Sequence, residues 1–337
     1  MSVPFIRPVR REDYDQLRAF SRVTGGGMTN LPDDDKALRE RIGRAVDSFS
    51  AGATKPGPEV YMTVLEEDGK ILGTAGVFSA IGLKDGFINY KLIDEVHYSA
   101  EYERTTRRTV LMPSHDFTAC AEVGMLFVSP DARRGGWGKL LARSRYLFIA
   151  QKPEIIADHI CAELRGWRGP NGEQPFWESV GRHFFEMDFV DADLHNATHG
   201  NQFIQDLMPR HPVYTVFLSP EARACIGKPH DSAQAAFDML IEEGFEWDQY
   251  IDIFDGGPLV DAKTSQIRTI RESRVRRVFA TGDVSNGHTM LMAAGAVSSF
   301  RCVREKAQID GDSLIISKET AKALNVKTGD SVRCVAW

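Results

Sequence analysis

Apolar and polar residues predict strands and helices in alternation along this chain, and the clearest pattern covers residues 123–150. Residues 123–128 form an apolar run that is typical of a buried strand, which the segment Ser129-Pro130-Asp131 breaks. A basic, glycine-rich segment follows, and apolar residues then recur at helical spacing across residues 139–149. This stretch therefore predicts a strand, a glycine loop and a helix.

The rest of the first 257 residues gives similar signals. We predict strands at 4–9, 60–65, 71–80, 155–163 and 250–254, and helices at 14–20, 36–49, 175–180 and 235–243. Asp68-Gly69 predicts a tight hairpin turn, and Gly181 ends a helix before a return strand. Residues 81–117 are less regular. The alternation predicts a mixed sheet with helices packed on it.

The pattern changes beyond Pro258. Short β-type runs with one intervening helix, at 318–324, predict a small β-barrel whose close resembles that of double-psi barrels. We therefore expect two domains, 1–257 and 258–337. The predicted barrel strands are 275–280, 289–294, 299–303, 314–317 and 331–335.

Composition narrows the classes of function. The 337 residues are 42% hydrophobic and 26% charged, with a net charge of −6, which argues against nucleic acid or an anionic membrane surface as the main partner. The five cysteines never form a C-x-x-C pair, so we expect free thiols in a reducing compartment and no metal site. No apolar run is long enough to cross a bilayer, and the first residues lack the apolar core of a signal peptide, so we expect a cytoplasmic protein.

The glycine loop suggests chemistry. Its backbone N–H groups and the helix N-terminus suit a diphosphate, although an ordinary strand-to-helix turn would have the same composition. Neither the Walker nor the Rossmann pattern fits. The spacing Arg133-x-x-Gly136-x-Gly138 resembles the pyrophosphate loop of GNAT acyltransferases, which holds the diphosphate of coenzyme A. That resemblance implies a cofactor-binding loop made of Arg133, Arg134, Gly135, Gly136 and Gly138.

Four further blocks make the resemblance more specific. They are TGGGMTNLP at 24–32, FWESVG at 176–181, LMPRHPVY at 207–214 and YIDIFDGGP at 250–258. Together they resemble the arginine N-succinyltransferase family, which transfers succinyl from succinyl-CoA to the α-amine of arginine in bacterial arginine catabolism. The likeness implies an α+β protein with a GNAT-like acyltransferase fold, in which helices flank a mixed sheet, and a small C-terminal β-barrel domain.

The resemblance also implies roles for particular residues. The family's proposed proton donor is a histidine in a Gly-x-x-His stretch, which falls on His230, and the family's succinyl-CoA contact falls on Leu126. In GNAT domains the backbone N–H after a bulge on the central strand polarises the thioester carbonyl, which here points to Leu126, Phe127 and Val128. Two departures are a loop with Gly135 and Trp137 at positions usually polar, and Phe117 at another such position.

Acceptor recognition needs carboxylates for a guanidinium and cations for carboxylates. Asp252 and Asp255 are candidates for the first task, and Arg165 and Arg168 for the second. Glu163 follows a predicted strand and is either a base, a guanidinium ligand or a solvated strand end. The glycines at 25–27 either close over the acceptor or form a hinge.

We expect succinyl-CoA to be a co-substrate, L-arginine to be the acceptor with ornithine as a second one, and no cofactor to be permanently bound. The alternatives are an N-acyltransferase with another acyl donor or amine, and a non-catalytic or CoA-sensing subunit. The resemblance implies an oligomer, either of this chain alone or with a similar second chain. The sequence leaves the identity of the general base and the role of the barrel open.

Overall fold

The structure is a computed structural model that describes residues 2–23, 30–133 and 135–337, without the side chains of Ala197 and His199. It has mixed α+β composition. Two compact units are present: the first comprises Met1–Ala80, Ala121–Ile160 and Lys263–Trp337, and the second comprises Ile81–Cys120 and Cys161–Ala262.

Within the described residues the strands are β1 (Phe5–Pro8), β2 (Val60–Glu67), β3 (Lys70–Phe78), β4 (Asn89–Ser99), β5 (Arg104–Ser114), β6 (Ala121–Val128), β7 (His159–Glu163), β8 (Val213–Tyr214), β9 (Glu246–Ile251), β10 (Pro258–Lys263), β11 (Arg274–Thr281), β12 (His288–Ala294), β13 (Arg301–Asp310), β14 (Ser313–Ile316) and β15 (Ser331–Ala336). The α-helices are α1 (Tyr14–Val23), α2 (Asp35–Ser50), α3 (Trp137–Gln151), α4 (Pro175–Ser179), α5 (Gly181–Phe185), α6 (Phe189–His199), α7 (Gln202–Leu207), α8 (Pro220–Cys225), α9 (Gln234–Glu243), α10 (Arg268–Glu272) and α11 (Lys318–Leu324).

The first unit contains the predicted strand, loop and helix as β6 and α3. Strands β1, β2, β3 and β6 lie side by side in that order, each antiparallel to the next. Asp68 and Gly69 have φ of 49° and 79°, so the β2–β3 turn is the predicted tight hairpin. Helix α3 is buried over most of its length, and its Phe148 ring lies 5.0 Å from that of Tyr61 on β2.

A closed barrel forms the C-terminal part of the first unit. Strands β12, β15, β11, β14 and β13 follow one another, and pairing of β12 with β13 closes the ring. The β11–β14 pair is parallel and the other four pairs are antiparallel. Val278, Val303, Leu314 and Leu324 are among its buried core residues. The predicted small β-barrel is therefore confirmed.

The second unit has strands β10, β9, β4, β5 and β8 in that order. Residues 81–117, which are irregular in sequence, contain the long β4–β5 hairpin, paired from Asn89↔Ser114 to Ser99↔Arg104. The outer half of this hairpin is largely exposed and carries many charged residues, which hides the strand pattern. The core of this unit is aromatic: the Trp177 ring stacks against those of Phe185 and Phe254 at centroid distances of 5.4 and 5.6 Å, and these two rings lie 6.2 Å from each other.

The return strand predicted after Gly181 is wrong, because Gly181–Phe185 is helix α5. A Cβ at Gly181 would lie 2.2 Å from the Trp177 ring, so the glycine permits a close packing contact. Val180 has φ −128° and ψ −73°, which ends α4 and re-aims the chain into a second short helix. The packing of Trp177 thus determines the path of the chain beyond the glycine.

Candidate active site

Strand β6 carries a β-bulge at the predicted donor position. Gly76 pairs with Gly124 and Thr74 with Phe127, so two residues of β6 lie opposite one residue of β3. Met125 takes the left-handed conformation, with φ of 56°, and is buried. Leu126 follows directly. A bulge interrupts ladder pairing and re-aims backbone groups, so this geometry suits a backbone N–H that faces a ligand.

The loop after this strand ends at an open helix N-terminus. Gly136 is the N-cap of α3 and has φ of 70°, which favours glycine. Within the described residues no side chain caps this helix, and no acidic residue occupies its first turn. The first N–H groups of the 15-residue helix therefore offer donors and partial positive charge to an anion. Arg133 is exposed beside the loop, whereas Arg134 lies outside the described residues.

A barrel residue holds this loop. The Arg304 Nη1 atom of β13 donates to the Gly135 carbonyl over 2.9 Å. Its guanidinium carbon lies 4.9 Å from the Trp137 ring centre and 5.1 Å from that of Trp337. A Cβ at Gly136 would come within 2.7 Å of Arg304 Nη1. The unusual residues Gly135 and Trp137 of this loop thus have a common partner in Arg304.

In the second unit, His230 lies in a segment bonded to the loop after β7. Its backbone N–H donates to the Arg165 carbonyl over 2.8 Å, and Gly166 forms an isolated β-bridge with Pro229. The Nδ1 atom of the ring accepts the Ser232 backbone N–H at 3.1 Å and lies 2.7 Å from Ser232 Oγ. The neutral ring therefore carries its proton on Nε2. Burial, followed by the charges of Arg165 and Arg168, lowers the pKa of His230.

Two arginines near His230 are short of acceptors. The Nε atoms of Arg165 and Arg168 are buried, and neither has a hydrogen-bond partner in the part of the chain that the structure describes. The Arg168 guanidinium lies 4.8 Å from the Phe189 ring centre, and burial lowers its pKa. Buried donors without acceptors are costly, so this pair suits an incoming carboxylate.

Asp252 and Asp255 organise the YIDIFDGGP turn. Asp252 Oδ1 accepts the N–H groups of Phe254 and Asp255 at 2.7 and 2.9 Å. Asp255 accepts those of Gly166 and Gly257 at 2.7 and 2.9 Å. Burial, then the charge of Asp255, raises the pKa of Asp252 to about 8. These bonds define a structural role, and guanidinium binding by the two residues stays a prediction.

Glu163 is the last residue of β7 and is partly buried. The next residue, Leu164, donates its backbone N–H to the Pro258 carbonyl over 3.0 Å, so this strand end is fixed beside the start of β10. The role of Glu163 as a base or as a guanidinium ligand stays a prediction. The glycines at 25–27 lie outside the described residues.

The sequence reasoning missed Glu122, a carboxylate on the central strand. It is 7% exposed, and burial raises its pKa to about 7. Asn30 Nδ2 donates to Glu122 Oε1 over 3.3 Å, and Arg41 Nη1 donates to Asn30 Oδ1 over 3.4 Å. A signal was available, because Glu122 is the charged residue within an otherwise apolar strand.

Comparison with known proteins places this arrangement among acyl-transfer proteins. Residues 4–269 match the family model described as arginine N-succinyltransferase beta subunit, and residues 272–336 match the model of its C-terminal domain. The chain belongs to the arginine N-succinyltransferase family.

Individual relatives are similar to this chain over nearly its full length. The chain is 37% identical to an arginine N-succinyltransferase of Yersinia pestis (strain Pestoides F), covering 98% of this chain and 97% of that one. It is 38% identical to the arginine N-succinyltransferase subunit beta of Pseudomonas aeruginosa, with the same coverage. The solved structure of the arginine/ornithine succinyltransferase subunit AI from Pseudomonas aeruginosa superposes with a TM-score of 0.89 at 34% identity, covering 100% of this chain and 99% of that chain.

Two further observations concern the described residues alone. None of their helices is both long enough and apolar enough to cross a membrane. They also contain no group of three or more histidine, cysteine or acidic residues that could hold a metal ion.

Proposed function

We propose that this chain is an arginine N-succinyltransferase, which moves succinyl from succinyl-CoA to the α-amine of L-arginine in arginine catabolism. The observation that carries the proposal is the family match, which extends through both family models and 98% of the chain in relatives of that name. The printed name of the solved relative supports ornithine as a second acceptor.

The donor half of the proposal uses β6 and α3. The thioester carbonyl accepts a hydrogen bond from a backbone N–H of Leu126, Phe127 or Val128, which follow the Met125 bulge. An N–H aimed at the developing oxyanion stabilises the transition state. The coenzyme A diphosphate lies at the α3 N-terminus, against Gly135, Gly136 and Gly138, with Arg133 and Arg134 adding charge.

The chemistry assigned to His230 is proton transfer. The amine attacks the thioester carbon, the C–S bond breaks, and coenzyme A leaves as a thiolate that needs a proton. A neutral imidazole can take the surplus proton of the attacking nitrogen and pass it to the thiolate. The Ser232 hydroxyl can donate a hydrogen bond to Nδ1 of the neutral ring and accept one from Nδ1–H of the charged ring. Glu163 is the alternative base.

We assign the free carboxylate of the succinyl group to Arg165 and Arg168. Their buried Nε donors support this role. The acceptor's guanidinium is assigned to the Asp252 and Asp255 carboxylates, each of which retains lone pairs beyond its backbone bonds.

Broader features of the proposal rest on the family resemblance. They are a GNAT-like fold, a double-psi character of the barrel and no permanently bound cofactor. We also propose domains at 1–257 and 258–337, from the change of pattern at Pro258, and a cytoplasmic location, which the five free cysteines support. We further propose an oligomer, since the names of two relatives refer to a subunit.

Thiol release tests the activity. Purified protein receives succinyl-CoA or acetyl-CoA with arginine, ornithine, lysine or buffer alone. We expect rapid thiol release with succinyl-CoA and arginine, slower release with ornithine, and background release with lysine. Comparable rates with acetyl-CoA would contradict the donor assignment. If no thiol is released with any pair while an active relative, used as the positive control, releases thiol, the result would favour a non-catalytic subunit.

A further inference from the structure

Three polar side chains form a continuous cluster beside the central strand of the first unit. Asn30 joins Glu122 of β6 to Arg41 of α2 through hydrogen bonds of 3.3 and 3.4 Å. Both bonds are longer than the usual 2.9–3.0 Å or so, and Arg41 uses one of its five N–H donors in them. The cluster is thus assembled but loosely bonded.

The cluster has more positive than negative charge. Arg41 and Arg145 are the cations that act on the Glu122 carboxylate, from α2 and α3 respectively. Arg145 Nη1 also donates to the Gly124 carbonyl at 3.4 Å. With two guanidinium groups around one carboxylate, the cluster stabilises an additional anionic group.

The position of the cluster relates it to the reacting carbonyl. Glu122 lies four positions before Leu126 on the same strand. Gly124 lies between them, and a Cβ there would come within 3.1 Å of Asn30 Nδ2 and 3.3 Å of Glu122 Oε1. A side chain at this position would crowd both groups. Glycine therefore keeps the strand surface beside the cluster open up to the bulge.

We propose that Arg41, Asn30 and Glu122 bind the zwitterionic head group of the acceptor amino acid, with Arg41 and Asn30 taking the α-carboxylate and Glu122 the α-ammonium. This inference rests on the proposed function. A cation and an anion joined by one side-chain amide complement a group that itself carries both charges. The succinyl group offers a carboxylate alone, and a guanidinium brings no negative charge for the two arginines.

Binding there also prepares the amine. Glu122 accepts one ammonium proton, and the neutral amine then forms the C–N bond while the C–S bond breaks and its electron pair leaves with the thiolate. The nitrogen gives up its second proton as the amide forms, and the thiolate takes up one proton. Glu122 returns its proton to water, so the products are one amide, one thiol and one proton.

Acceptor binding without an acyl donor tests the head-group site. Calorimetry compares L-arginine with agmatine, which lacks the α-carboxylate, on wild type, Arg41→Met, Arg41→Lys and the control Arg39→Met. Arg39 lies on the same helix but is exposed and stacks on Tyr14. We expect Arg41→Met to weaken L-arginine binding about 10- to 100-fold and agmatine binding less than about threefold. Arg41→Lys should keep part of the preference, and Arg39→Met all of it.

Equal weakening of both ligands by Arg41→Met, or no weakening of either, would overturn the inference. Glu122→Gln gives an independent readout, because it should lower kcat about 100-fold and abolish the ionisation near neutral pH in the pH profile of kcat. An unchanged profile would remove Glu122 from the proposal. If acyl transfer is absent but the Arg41-dependent preference persists, the proposed function fails and the head-group site stands.

Discussion

Gly136 combines two restrictions at a single position of the loop between β6 and α3. Its φ of 70° is strained for other residues, and a Cβ would lie 2.7 Å from Arg304 Nη1. Gly138, two residues later, has an ordinary φ, and its Cβ would lie 3.8 Å from the Val128 side chain. A methyl group should therefore destabilise the fold at Gly136 but not at Gly138.

We expect Gly136→Ala to lower the free energy of unfolding by about 1–2 kcal/mol and to raise KM for succinyl-CoA. Gly138→Ala is the matched control and should not lower the stability, since alanine favours the helix by up to about 1 kcal/mol over glycine. Urea denaturation of both variants makes the comparison. If both variants were destabilised equally, the backbone conformation of Gly136 would not be the cause of the lower stability.

His230 differs from a surface histidine in its fixed ring and lowered pKa. We expect His230→Gln to reduce kcat by about 100-fold or more with little change in the binding of either substrate, because the side chain acts on protons in transit. Steady-state kinetics and calorimetry separate the two effects. Full activity of a folded His230→Gln protein would exclude this role.

At the scale of elements, the turn at 252–258 holds the loop after β7 in place. Asp255 bonds the N–H of Gly166, and Gly227 donates to the carbonyl of Gly256 over 2.8 Å. Arg165 and His230 belong to the two segments that this turn fixes. The turn thus holds the segments of Arg165 and His230 in place, in addition to the guanidinium binding proposed for its carboxylates.

The turn makes stability depend on pH. Unfolded aspartate titrates near pH 3.9 or so, whereas burial and Asp255 raise the pKa of Asp252 to about 8. The folded state then holds a proton that the unfolded state has lost, so stability falls as the pH rises through this window and levels off above about 8. Asp252→Asn, a neutral isostere, should flatten this fall in urea denaturation between pH 5 and 9. Parallel curves for variant and wild type would contradict it.

The barrel contacts the loop between β6 and α3 through Arg304. We expect Arg304→Gln to raise KM for succinyl-CoA about 10-fold while KM for arginine stays constant, because the Gly135 carbonyl loses a charged donor. Arg301→Gln is the control: Arg301 lies on the same strand, donates to the Ala323 carbonyl over 3.0 Å and stacks on Phe5, away from the loop. A similar rise in KM for both variants would point to a general effect on the barrel.

At the scale of the whole molecule, local patterns predicted most elements. The β6–α3 unit, the Asp68-Gly69 hairpin and the barrel strands follow from periodicity and turn residues, which act over a few positions. The β4–β5 hairpin could not be predicted in this way, because its exposed, charged half hides the alternation of apolar and polar residues. The helix after Gly181 depends on packing against Trp177, which a local pattern does not contain.

The candidate site was less predictable than the fold. Arg165 and Arg168 were identified by chemistry alone, and His230 only through the family resemblance. Glu122 was missed because its partners are distant in sequence, with Asn30 92 residues away. Burial and long-range bonding determine such a group's charge, and neither is encoded in the residues beside it.

The central claim is that this chain succinylates the α-amine of arginine. NMR of arginine labelled with ¹⁵N at the α-amine, incubated with the protein and succinyl-CoA, tests it directly. We predict a new amide ¹⁵N–¹H signal at the α-nitrogen that couples to the succinyl carbonyl, with the guanidinium signals unchanged. Acylation at a guanidinium nitrogen, or an unaltered α-amine while an active relative converts the same sample, would contradict the account.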